Sequence, residues 1–564
     1  MNILGLNYAF HDSTACILQD GALVVAIEEE RLSRHKHTYA FPRLSSDRCL
    51  KDTRLTYSDI DHIAVSIKPT LHLGKKLLYG IKLLPKIKSF ISQELLRLYN
   101  NQKNFWAWYN SHWPESSTHR PTVHFVPHHM SHMAGTFYAS PYESAALLSL
   151  DGSGEWSTSF LGHGTGTEIS IISESFFPMS LGSFYEAATQ FCGFRPNYDE
   201  GKTMGLAPMG DPTIYHDLVD RMVTIEDTGN IHIDLSYFNY QRLTHERCSD
   251  KFYATFGQPR HKGGEFHDNH LNVAAAFQRV LEEKVLRICD ILHAKTKEKY
   301  LVIAGGVSLN SVMNGRILRE SKFEDLYVMP AAGDNGTAIG AAYYAYNHIL
   351  KQPRHTVHDS PYLGTEYSNN DIEKVLSECK LKAEYHDDIC AATAEILQRG
   401  EIIGWFQGRM EIGPRALGNR SILANPAYAN MKDKINLEVK HREAYRPFAP
   451  SAPLEHVKDY FEMDKEDPFM LKVCYVRPDK RDIIPAIVHV DGSARLQTVK
   501  EDINPRYHEL LTKFGQLSGV PVLLNTSFNI MGEPIVESPM DAIRCFFSTG
   551  LDKLILGNYV ITKQ

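Results

Sequence analysis

Two histidines one helical turn apart are the first residues in the chain whose spacing suggests chemistry. His128 and His132 lie four residues apart in VPHHMSH, so on a helix both imidazoles face the same way. Two carboxylates stand where apolar segments end in glycine turns, Asp151 in LSLDGSG and Asp334 in AAGDNGTAIGAA. Among 27 histidines an HxxxH spacing can arise by chance, as surface or core histidines, but the two carboxylates favour a metal site. Mixed nitrogen and oxygen ligands suit Fe, Mn or Zn.

Positive charge is concentrated in a second region, after residue 400. The run 408–421 (GRMEIGPRALGNRS) carries three arginines among glycines, and 440–448 (KHREAYRPF) adds three more cations. Guanidinium groups bind phosphate through two parallel hydrogen bonds and remain charged, so the pattern predicts a pocket for a phosphate-bearing ligand. The alternative is a solvated charged face, which the interleaved glycine, proline and aromatic residues disfavour. Arg495 and the polar cluster 525–529 (NTSFN) are expected to complete the pocket.

The composition bounds the kind of protein that carries these residues. A length of 564 residues predicts at least two domains, and 43% hydrophobic with 23% charged residues is typical of globular chains. The net charge of -7 argues against non-specific nucleic-acid binding. Nine scattered cysteines without a CxxC motif indicate reduced thiols, and neither a signal peptide nor an 18-residue apolar run is evident. We therefore expect a cytoplasmic protein that does not span a membrane.

Apolar and polar patterning predicts the elements that hold the candidate residues. Residues 2–7 and 23–28 predict a β-hairpin around Asp20-Gly21, with the polar insert 9–12 at its open end. Further along, mixed α/β lobes are predicted from strand 144–150, helix 270–293 and strand 300–304. The glycine turns at Gly305-Gly306, Gly333 and Gly336 offer backbone N–H groups to a nucleotide.

Residues 351–362 (KQPRHTVHDSPY) are polar and lack periodicity, which predicts a linker between domains 1–355 and 363–564. The second domain is expected to be α/β, with strand 401–406, helix 429–441 and strand 520–524. The basic amphipathic stretch 72–110, interrupted by Pro85, predicts two helices packed on a lobe in preference to a membrane-surface or partner role.

The motifs, taken in order, resemble those of a known family. They are HDSTACILQDG, IEEERLSRHKH, HHMSHMAGTFY, EGKTMGLAPMG, AGGVSLN, GDNGTAIGAA, GRMEIGPRALGNRSIL, KHREAYRPFAP and LLNTSFN. Over practically its whole length the chain resembles the nodulation-type and antibiotic O-carbamoyltransferases. This resemblance implies an N-terminal paired-lobe domain of the actin and sugar-kinase type, similar to the tRNA threonylcarbamoyladenosine transferase. It also implies a C-terminal α/β domain similar to the synthase that makes threonylcarbamoyl-adenylate.

The same resemblance implies the substrates and the residues of two sites. In the C-terminal domain, carbamoyl phosphate and ATP, with Mg²⁺ accompanying ATP, would yield carbamoyl-adenylate. The residues implied for carbamoyl phosphate and ATP are Lys36, Arg415, Lys440, Arg446, Arg495, Asn525 and Ser527. In the N-terminal domain it implies Fe²⁺, or another divalent metal, on His128, His132, Asp151 and Asp334. Carbamoyl-adenylate would lie against Gly152, Ser153, Gly182, Glu186, Gly306 and Asn310, with His11 and Asp12 as the catalytic pair.

The expected partner is a small molecule with a hydroxyl acceptor, such as a sugar, a nodulation factor or an antibiotic, with no nucleic acid and no membrane; a homodimer is left open. Contacts to the acceptor are expected from the stretches 72–120 and 211–270, because 72–110 and 211–270 match none of the family motifs. Lys202 either contacts phosphate or caps a lobe surface. One alternative is a tRNA-modifying enzyme of the threonylcarbamoyl type, which the fused C-terminal domain disfavours. The other is a catalytically silent nucleotide-binding regulator, which is disfavoured because all candidate metal ligands and phosphate-binding cations are present.

Overall fold

The computed structural model describes residues 1–8, 10–82, 96–354, 359–443 and 445–563, and the chain divides into two compact units. The first unit contains Met1–Glu29 and His37–His358, and the second contains Glu30–Lys36 and Asp359–Gln564. The short segment Glu30–Lys36 thus clusters with a part of the chain more than 300 residues away, which no sequence pattern indicated. Part of the predicted linker, 355–358, lies outside the described residues.

Two five-stranded sheets with the same strand order form the framework of the first unit. The strands are β1 Asn2–Asn7, β2 Thr14–Gln19, β3 Ala22–Glu28, β4 His62–Val65, β5 Thr122–Phe125, β6 Ser144–Leu150, β7 Ser157–Thr165, β8 Glu168–Phe176, β9 Val223–Ile225, β10 Ile231–Ile233, β11 Tyr300–Ala304 and β12 Asp325–Tyr327. One sheet has the order β3-β2-β1-β4-β5 and the other β8-β7-β6-β11-β12, while β9 and β10 form a separate hairpin.

In both sheets an antiparallel meander of three strands is followed by two parallel strands. This duplication confirms the predicted paired-lobe architecture.

The predicted N-terminal hairpin was wrong in one respect, because a strand had been overlooked. The turn at Asp20-Gly21 joins β2 to β3, and β2 pairs with β1 on its other side. The sequence TACILQ is almost wholly buried, so it lacks the alternation by which a half-buried strand is recognised. The polar insert therefore connects β1 to β2, directly at the end of the central strand of its sheet; Ala9 within it lies outside the described residues.

Helices cover the two sheets of the first unit. They span Arg43–Thr53, Leu73–Lys82, Arg97–His112, His128–Ala139, Leu181–Phe191, Glu200–Leu206, His216–Asp220, Asp250–Phe256, Asp268–Thr296, Ser311–Glu320 and Thr337–Tyr343. The helices His128–Ala139 and Thr337–Tyr343 cross where Gly135 meets Gly340. A Cβ atom on Gly340 would lie 1.7 Å from the carbonyl oxygen of Ser131, so only glycine permits this approach. The described parts of the basic stretch 72–110 include the helix Leu73–Lys82 and most of the helix Arg97–His112, while 83–95 lies outside the described residues.

An eight-stranded mixed sheet is the framework of the second unit. Its strands, together with a small two-stranded ribbon β17–β18, are β13 Glu384–Tyr385, β14 Ile403–Phe406, β15 Arg420–Ala424, β16 Ala449–Pro453, β17 Cys474–Tyr475, β18 Ser493–Ala494, β19 Gln497–Val499, β20 Leu523–Ser527, β21 Lys553–Leu556 and β22 Tyr559–Thr562. The order in the large sheet is β13-β22-β21-β14-β15-β20-β16-β19.

The α-helices of this part of the chain are Asn369–Glu378, Ile389–Gln398, Met431–Ile435, Val457–Tyr460, Pro505–Ser518 and Pro539–Phe547. The short helix Glu29–Ser33 belongs to the second unit from Glu30 onward. The predicted α/β class of the second domain is confirmed. In the described ranges, no helix is both long enough and apolar enough to cross a bilayer.

Candidate functional site

Four buried side chains from three parts of the first unit converge on one point. The Nε2 atoms of His128 and His132 are 3.0 Å apart. Oδ2 of Asp151 lies 3.1 and 3.0 Å from these two nitrogens, and Oδ1 of Asp334 lies 3.5 and 3.4 Å from them. One donor atom from each residue therefore falls within 4.8 Å of the other three. We call these four residues the His/Asp cage.

The local elements explain why the cage forms. The helix His128–Ala139 begins at the first ligand and places the second one turn later, as the spacing predicted. Asp151 follows the last residue of β6, and Asp334 opens the short turn that leads into the helix Thr337–Tyr343. The carboxylate of Glu155 accepts hydrogen bonds from the backbone N–H of His128 at 3.0 Å and of Lys68 at 2.7 Å. Sequence reasoning missed Glu155, because its carboxylate binds the backbone N–H of Lys68, a residue that is distant in the chain.

The electrostatics of the cage suit a cation. Burial would raise the pKa of Asp151, but His128 and His132 hold it well below its usual value. Burial would likewise lower the pKa of His132, yet Asp151 and Asp334 raise it to about 9. Nδ1 of His128 is buried and has no hydrogen-bond partner among the described residues, so the polar contacts of that ring are on the cage side. Two imidazoles and two carboxylates fit a divalent ion such as Fe²⁺, Mn²⁺ or Zn²⁺.

His11 and Asp12 lie beside the cage. Nδ1 of His11 is 2.9 Å from Oδ2 of Asp12, and Nε2 faces Oδ2 of Asp334 at 3.9 Å. The other carboxylate oxygen of Asp12 is 2.7 Å from Nδ1 of His37, a residue that sequence reasoning missed. Burial lowers the pKa of His11, but Asp334 and then Asp12 outweigh it and raise the pKa well above its usual value.

Asn7 at the end of β1 connects this loop to the cage. Its amide donates to the carbonyl oxygens of His11 and Asp12 at 3.1 Å each, and to that of Asp334 at 2.9 Å. One buried amide therefore holds the backbone of His11, Asp12 and Asp334 in a common frame.

Three glycines and a glutamate predicted to contact the adenylate surround Asp151. A Cβ atom on Gly182 would lie 2.7 Å from the backbone nitrogen of Gly152, and one on Gly306 would lie 3.0 Å from Oδ1 of Asp151. A Cβ on Gly152 would lie 3.3 Å from Oε1 of Glu186. These residues therefore pack closely around Asp151, and the absence of a side chain at Gly182 and Gly306 permits that approach.

The other residues that the sequence predicted in the first unit have their own positions and hydrogen-bond partners. Ser153 is exposed in the turn after Asp151. The side chain of Asn310 caps the helix Ser311–Glu320 through Met313 N at 3.0 Å and donates to Gln278 at 2.9 Å, so its hydrogen bonds in the structure are to protein groups. Nζ of Lys202 lies 3.0 Å from Oδ1 of Asp199, and both interpretations of Lys202 stay predictions.

In the second unit, three arginines predicted to bind phosphate crowd together. The pKa of Arg495 lies well below its usual value because the side chain is buried and because the charges of Arg415 and Arg446 are close. The pKa of Arg415 is lowered to about 10 by burial and by the charge of Arg446. The carboxylate of Asp467 opposes both shifts. Nε of Arg415 and Nε of Arg495 are buried and have no hydrogen-bond partner among the described residues. Like charges held together with unused donors indicate a binding site for an anion. We call Arg415, Arg446 and Arg495 the arginine cluster.

Lys440 lies close to further cations but is already bound by protein oxygens. Its ammonium group donates to the backbone oxygen of Ser527 and to Oδ1 of Asn529, the latter at 2.8 Å. Burial lowers the pKa of Lys440 well below its usual value, and Arg442, Arg446 and Lys36 lower it further. Lys440 therefore orders the segment 527–529 while adding to the positive field.

The loop that carries Arg415 is fastened by a residue that sequence reasoning did not select. Oε1 of Glu411 accepts hydrogen bonds from three backbone N–H groups, those of Leu417 at 2.7 Å, Asn419 at 2.8 Å and Arg420 at 3.1 Å. In the sequence, Glu411 is a carboxylate shortly before Gly413-Pro414, a pattern that does not predict hydrogen bonds to the backbone of 417–420. Glu411 thereby fixes the path of the chain on both sides of Arg415.

Fewer arginines of the run 408–421 are available to bind an anion than the charge pattern predicted. The guanidinium of Arg420 is fully buried, donates to the carbonyl oxygens of Gln407 and Gly408, and lies 3.6 Å from the ring of Phe406. Arg409 donates to the carbonyl oxygen of Leu363 at 2.7 Å. Both are structural residues, because backbone carbonyls satisfy donors that the charge pattern had suggested were available to anions.

Asn525 lies in a buried polar network behind this loop. Its Nδ2 donates to Ser451 at 3.1 Å and to Gln497 at 3.0 Å, while its Oδ1 is buried without a hydrogen-bond partner among the described residues. The Nε2 of Gln497 donates to the carbonyl oxygen of Leu417 at 2.7 Å. Asn525 is thus connected to the arginine-bearing loop through Gln497.

Comparison with known proteins identifies the family of the chain. Residues 2–343 match the family model described as "Carbamoyltransferase N-terminus", and residues 394–563 match "Carbamoyltransferase C-terminus". The chain is 39% identical to an uncharacterized protein of Synechocystis sp., covering 100% of this chain and 97% of that protein. It is 37% identical to the nodulation protein NolNO of Sinorhizobium fredii, covering 99% and 80%. A 3'-hydroxymethylcephem-O-carbamoyltransferase of Amycolatopsis lactamdurans is 38% identical, covering 46% and 48%. The chain therefore belongs to the carbamoyltransferase family and is an enzyme that transfers carbamoyl groups.

Proposed function

We propose that the chain is an ATP-dependent O-carbamoyltransferase with two reaction sites. The second unit would form carbamoyl-adenylate from carbamoyl phosphate and ATP, with Mg²⁺ accompanying ATP. The first unit would transfer the carbamoyl group to a hydroxyl of a small-molecule acceptor. The observation that supports this proposal best is the arginine cluster, because the buried Nε atoms of Arg415 and Arg495 have no hydrogen-bond partner in the described part of the chain and suit a phosphate-bearing substrate.

The adenylating step is needed because carbamate by itself is a poor electrophile. Hydrolysis of carbamoyl phosphate releases phosphate and carbamate, and a carbamate oxygen then attacks the α-phosphorus of ATP with loss of pyrophosphate. The negative charge that builds up on the phosphate oxygens would be stabilised by Arg415, Arg446 and Arg495. The product carries AMP as a leaving group, which makes the carbamoyl carbon a usable electrophile.

The transfer step would use the His/Asp cage and His11. A divalent cation in the cage would offset the negative charge of Asp334, the largest influence that raises the pKa of His11, and would favour the neutral imidazole. With Nδ1 directed to Asp12, that imidazole has its lone pair on Nε2, facing the cage, and can take the proton of an acceptor hydroxyl there. A divalent cation held by His128, His132, Asp151 and Asp334 would supply positive charge next to the oxygens that become negative. The adenylate would lie beside Gly152, Gly182 and Gly306, which pack around Asp151.

The acceptor is proposed to enter past the stretches 72–120 and 211–270. The two stretches are in contact, since Tyr79 OH donates to the carbonyl oxygen of Gln241 at 2.6 Å. From the second stretch, Nε of Arg247 lies 3.1 Å from Oε2 of Glu186, one of the residues packed around Asp151. A residue in the region without family motifs therefore reaches the adenylate side of the first site.

A mass-spectrometric search for carbamoyl-adenylate tests the proposal. Purified full-length protein with ATP, Mg²⁺ and isotope-labelled carbamoyl phosphate should accumulate the labelled adenylate and pyrophosphate. Arg415→Ala should abolish both, whereas Arg477→Ala, a substitution of an arginine whose side chain is 49% exposed, should change neither. Adenylate formation at the normal rate in Arg415→Ala would refute the assignment of the arginine cluster. A labelled product only with threonine and tRNA would favour the tRNA-modifying alternative, and no product with any donor would favour the regulator.

A further inference from the structure

We propose that the N-terminal segment Glu30–Lys36 is part of the site that forms carbamoyl-adenylate, because two of its arginines position Arg415. These positioning residues are Arg31 and Arg34. The inference rests on the proposed function, since it assigns both arginines to the adenylating step. Both lie in the motif IEEERLSRHKH, from which the family resemblance implied only Lys36 for this site.

Arg31 holds the arginine-bearing loop just before Arg415. Its side chain is 4% exposed, and its Nη2 donates to the carbonyl oxygen of Gly413 at 2.8 Å. Its Nη1 lies 3.1 Å from Oε1 of Glu30, so the guanidinium bridges the segment and the loop. Gly413 has a φ of 101°, in a region that residues with a side chain rarely adopt. The hydrogen bond from Arg31 therefore fixes a carbonyl at a tight turn two residues before Arg415.

Arg34 supports the same loop from the other side of Arg415, through a second stretch of chain. Its two Nη atoms donate to the carbonyl oxygens of Ile535 at 2.7 Å and of the residue before it at 2.9 Å. The side chain of Ile535 forms a small buried cluster with Met410 and Ala416, and Ala416 follows Arg415 directly. Because close-packed side chains transmit a shift to their neighbours, Arg34 helps to set where Ala416 lies.

Arg31 and Arg34 are also connected to each other. Nη1 of Arg34 donates to the carbonyl oxygen of Arg31 at 3.3 Å, and the backbone N–H of Arg34 donates to that of Glu30 at 3.0 Å. At the end of the segment, the charge of Lys36 contributes to the low pKa of Lys440, so these two ammonium groups are close. The segment therefore supplies the second unit with both hydrogen bonds and positive charge.

Repulsion within the arginine cluster explains why the loop needs these supports. The charges of Arg446 and Arg495 are close to that of Arg415, and like charges repel. A loop without firm attachment would relieve the repulsion by moving Arg415 outward whenever no anion is bound. Each substrate molecule would then have to draw Arg415 back, which weakens binding without changing the groups that react. Loss of Arg31 or Arg34 should therefore affect KM more than kcat.

The kinetics of carbamoyl-adenylate formation by the full-length protein test the inference. Arg31→Ala removes a charge-assisted hydrogen bond, so KM for carbamoyl phosphate should rise about tenfold, while kcat changes by less than about threefold. Amide exchange of the peptide that covers 412–420 should become roughly 10–100-fold faster for the same reason. Arg399→Ala is the matched control in the same unit, because the side chain of Arg399 is 55% exposed and pairs with Glu401. It should change neither quantity.

Two conservative variants cover the case in which Arg31→Ala does not fold. Arg31→Lys retains the charge beside Glu30 but lacks the planar fork that reaches Glu30 and Gly413 together, so KM should rise by about threefold. Arg34→Lys should raise KM by a similar factor, because one ammonium group cannot hold two carbonyl oxygens in the same way. Unchanged KM in both lysine variants would overturn the inference, as would a loss that falls on kcat alone.

Binding of inorganic phosphate distinguishes failure of this inference from failure of the proposed function. If the wild-type protein makes no carbamoyl-adenylate from carbamoyl phosphate and ATP, the proposed function fails. Titration calorimetry with inorganic phosphate still reports on the position of Arg415. Affinity that is lost in Arg415→Ala and reduced by about threefold or more in Arg31→Lys and Arg34→Lys supports the inference. Wild-type affinity in both lysine variants, or no phosphate binding by the wild-type protein, refutes it.

Discussion

The hydrogen bonds made by Glu411 provide a sharp test of how the second unit positions Arg415. Oε1 of this buried carboxylate accepts three backbone N–H groups, from Leu417, Asn419 and Arg420. The substitution Glu411→Gln keeps the shape and one acceptor oxygen but removes the negative charge. Each hydrogen bond to a charged acceptor contributes about 1.5–3 kcal/mol, against about 0.5–1.5 kcal/mol for a neutral one. The difference, roughly 1 kcal/mol for each bond, sums to about 3 kcal/mol over the three.

This loss should appear first as local opening of the loop 412–420. An opening free energy lower by about 2–3 kcal/mol corresponds to amide exchange roughly 30–150-fold faster, because 1.36 kcal/mol is a factor of ten. Hydrogen–deuterium exchange followed by mass spectrometry on the peptide that covers 412–420 measures it directly. Because Arg415 lies in this loop, KM for carbamoyl phosphate should rise in parallel, with little change in the exchange of first-unit peptides.

The matched control is Glu455→Gln, since the side chain of Glu455 is 53% exposed and pairs with His508. It should change exchange and KM by less than a factor of about two to three, as is usual for exposed ion pairs. Unchanged exchange in the Glu411→Gln loop would refute the assignment of Glu411 as its anchor. Faster exchange with an unchanged KM would show that the loop does not set the position of the substrate.

Four further predictions concern the first site, the acceptor and the pH dependence. His128→Ala and Asp334→Ala should each lower bound divalent metal, measured by mass spectrometry of the elements, and stop transfer without stopping adenylate synthesis; loss of both reactions would contradict the division of labour. His11→Asn should retain metal and slow transfer by roughly 10²–10⁴-fold, the usual contribution of general-base catalysis, and full activity would limit His11 to packing. Exchanging 72–120 and 211–270 with those of a relative that uses another acceptor should change acceptor choice while adenylate formation is retained; unchanged choice would place specificity elsewhere. Burial raises the pKa of Asp467 to about 6, so protonated Asp467 contributes stability that is fully present below about pH 4 and is lost as pH rises through 6. The free energy of unfolding should fall by about 3 kcal/mol across this range. Urea unfolding of Asp467→Asn should lack this pH dependence.

The parts of both sites that depend on local chain geometry were predictable from the sequence. The helical spacing of His128 and His132 determines that the two imidazoles share a face, and the structure confirms the helix. Asp151 follows an apolar strand directly, so its place at a strand end needs no knowledge of the rest of the fold. The alternation of strand, helix and glycine turn likewise indicated mixed α/β lobes, while their pairing was implied by the family resemblance. These features depend on neighbours within a few residues, where periodicity of 3.6 or 2 is visible in the sequence.

Counting charges was a weaker guide, because it does not show where a side chain points. The run 408–421 contains three arginines, yet Arg409 and Arg420 donate to backbone carbonyls and Arg415 joins the arginine cluster. The strand Thr14–Gln19 was missed for a related reason, since burial on both faces removes the alternation that identifies a strand.

By itself, then, the sequence determined the kinds of side chain available, the class of the two domains and the spacing of the cage ligands along each element. Only the tertiary structure decided which distant groups complete the sites. Asp12 is shared between His11 and His37, Glu155 caps the helix of the cage, and Glu411 binds three amides of the arginine-bearing loop. The crossing of Gly135 and Gly340 brings the helices of His132 and Asp334 together. Such contacts join residues from different elements, so they depend on close packing between chain segments, which leaves no periodic trace in either segment alone.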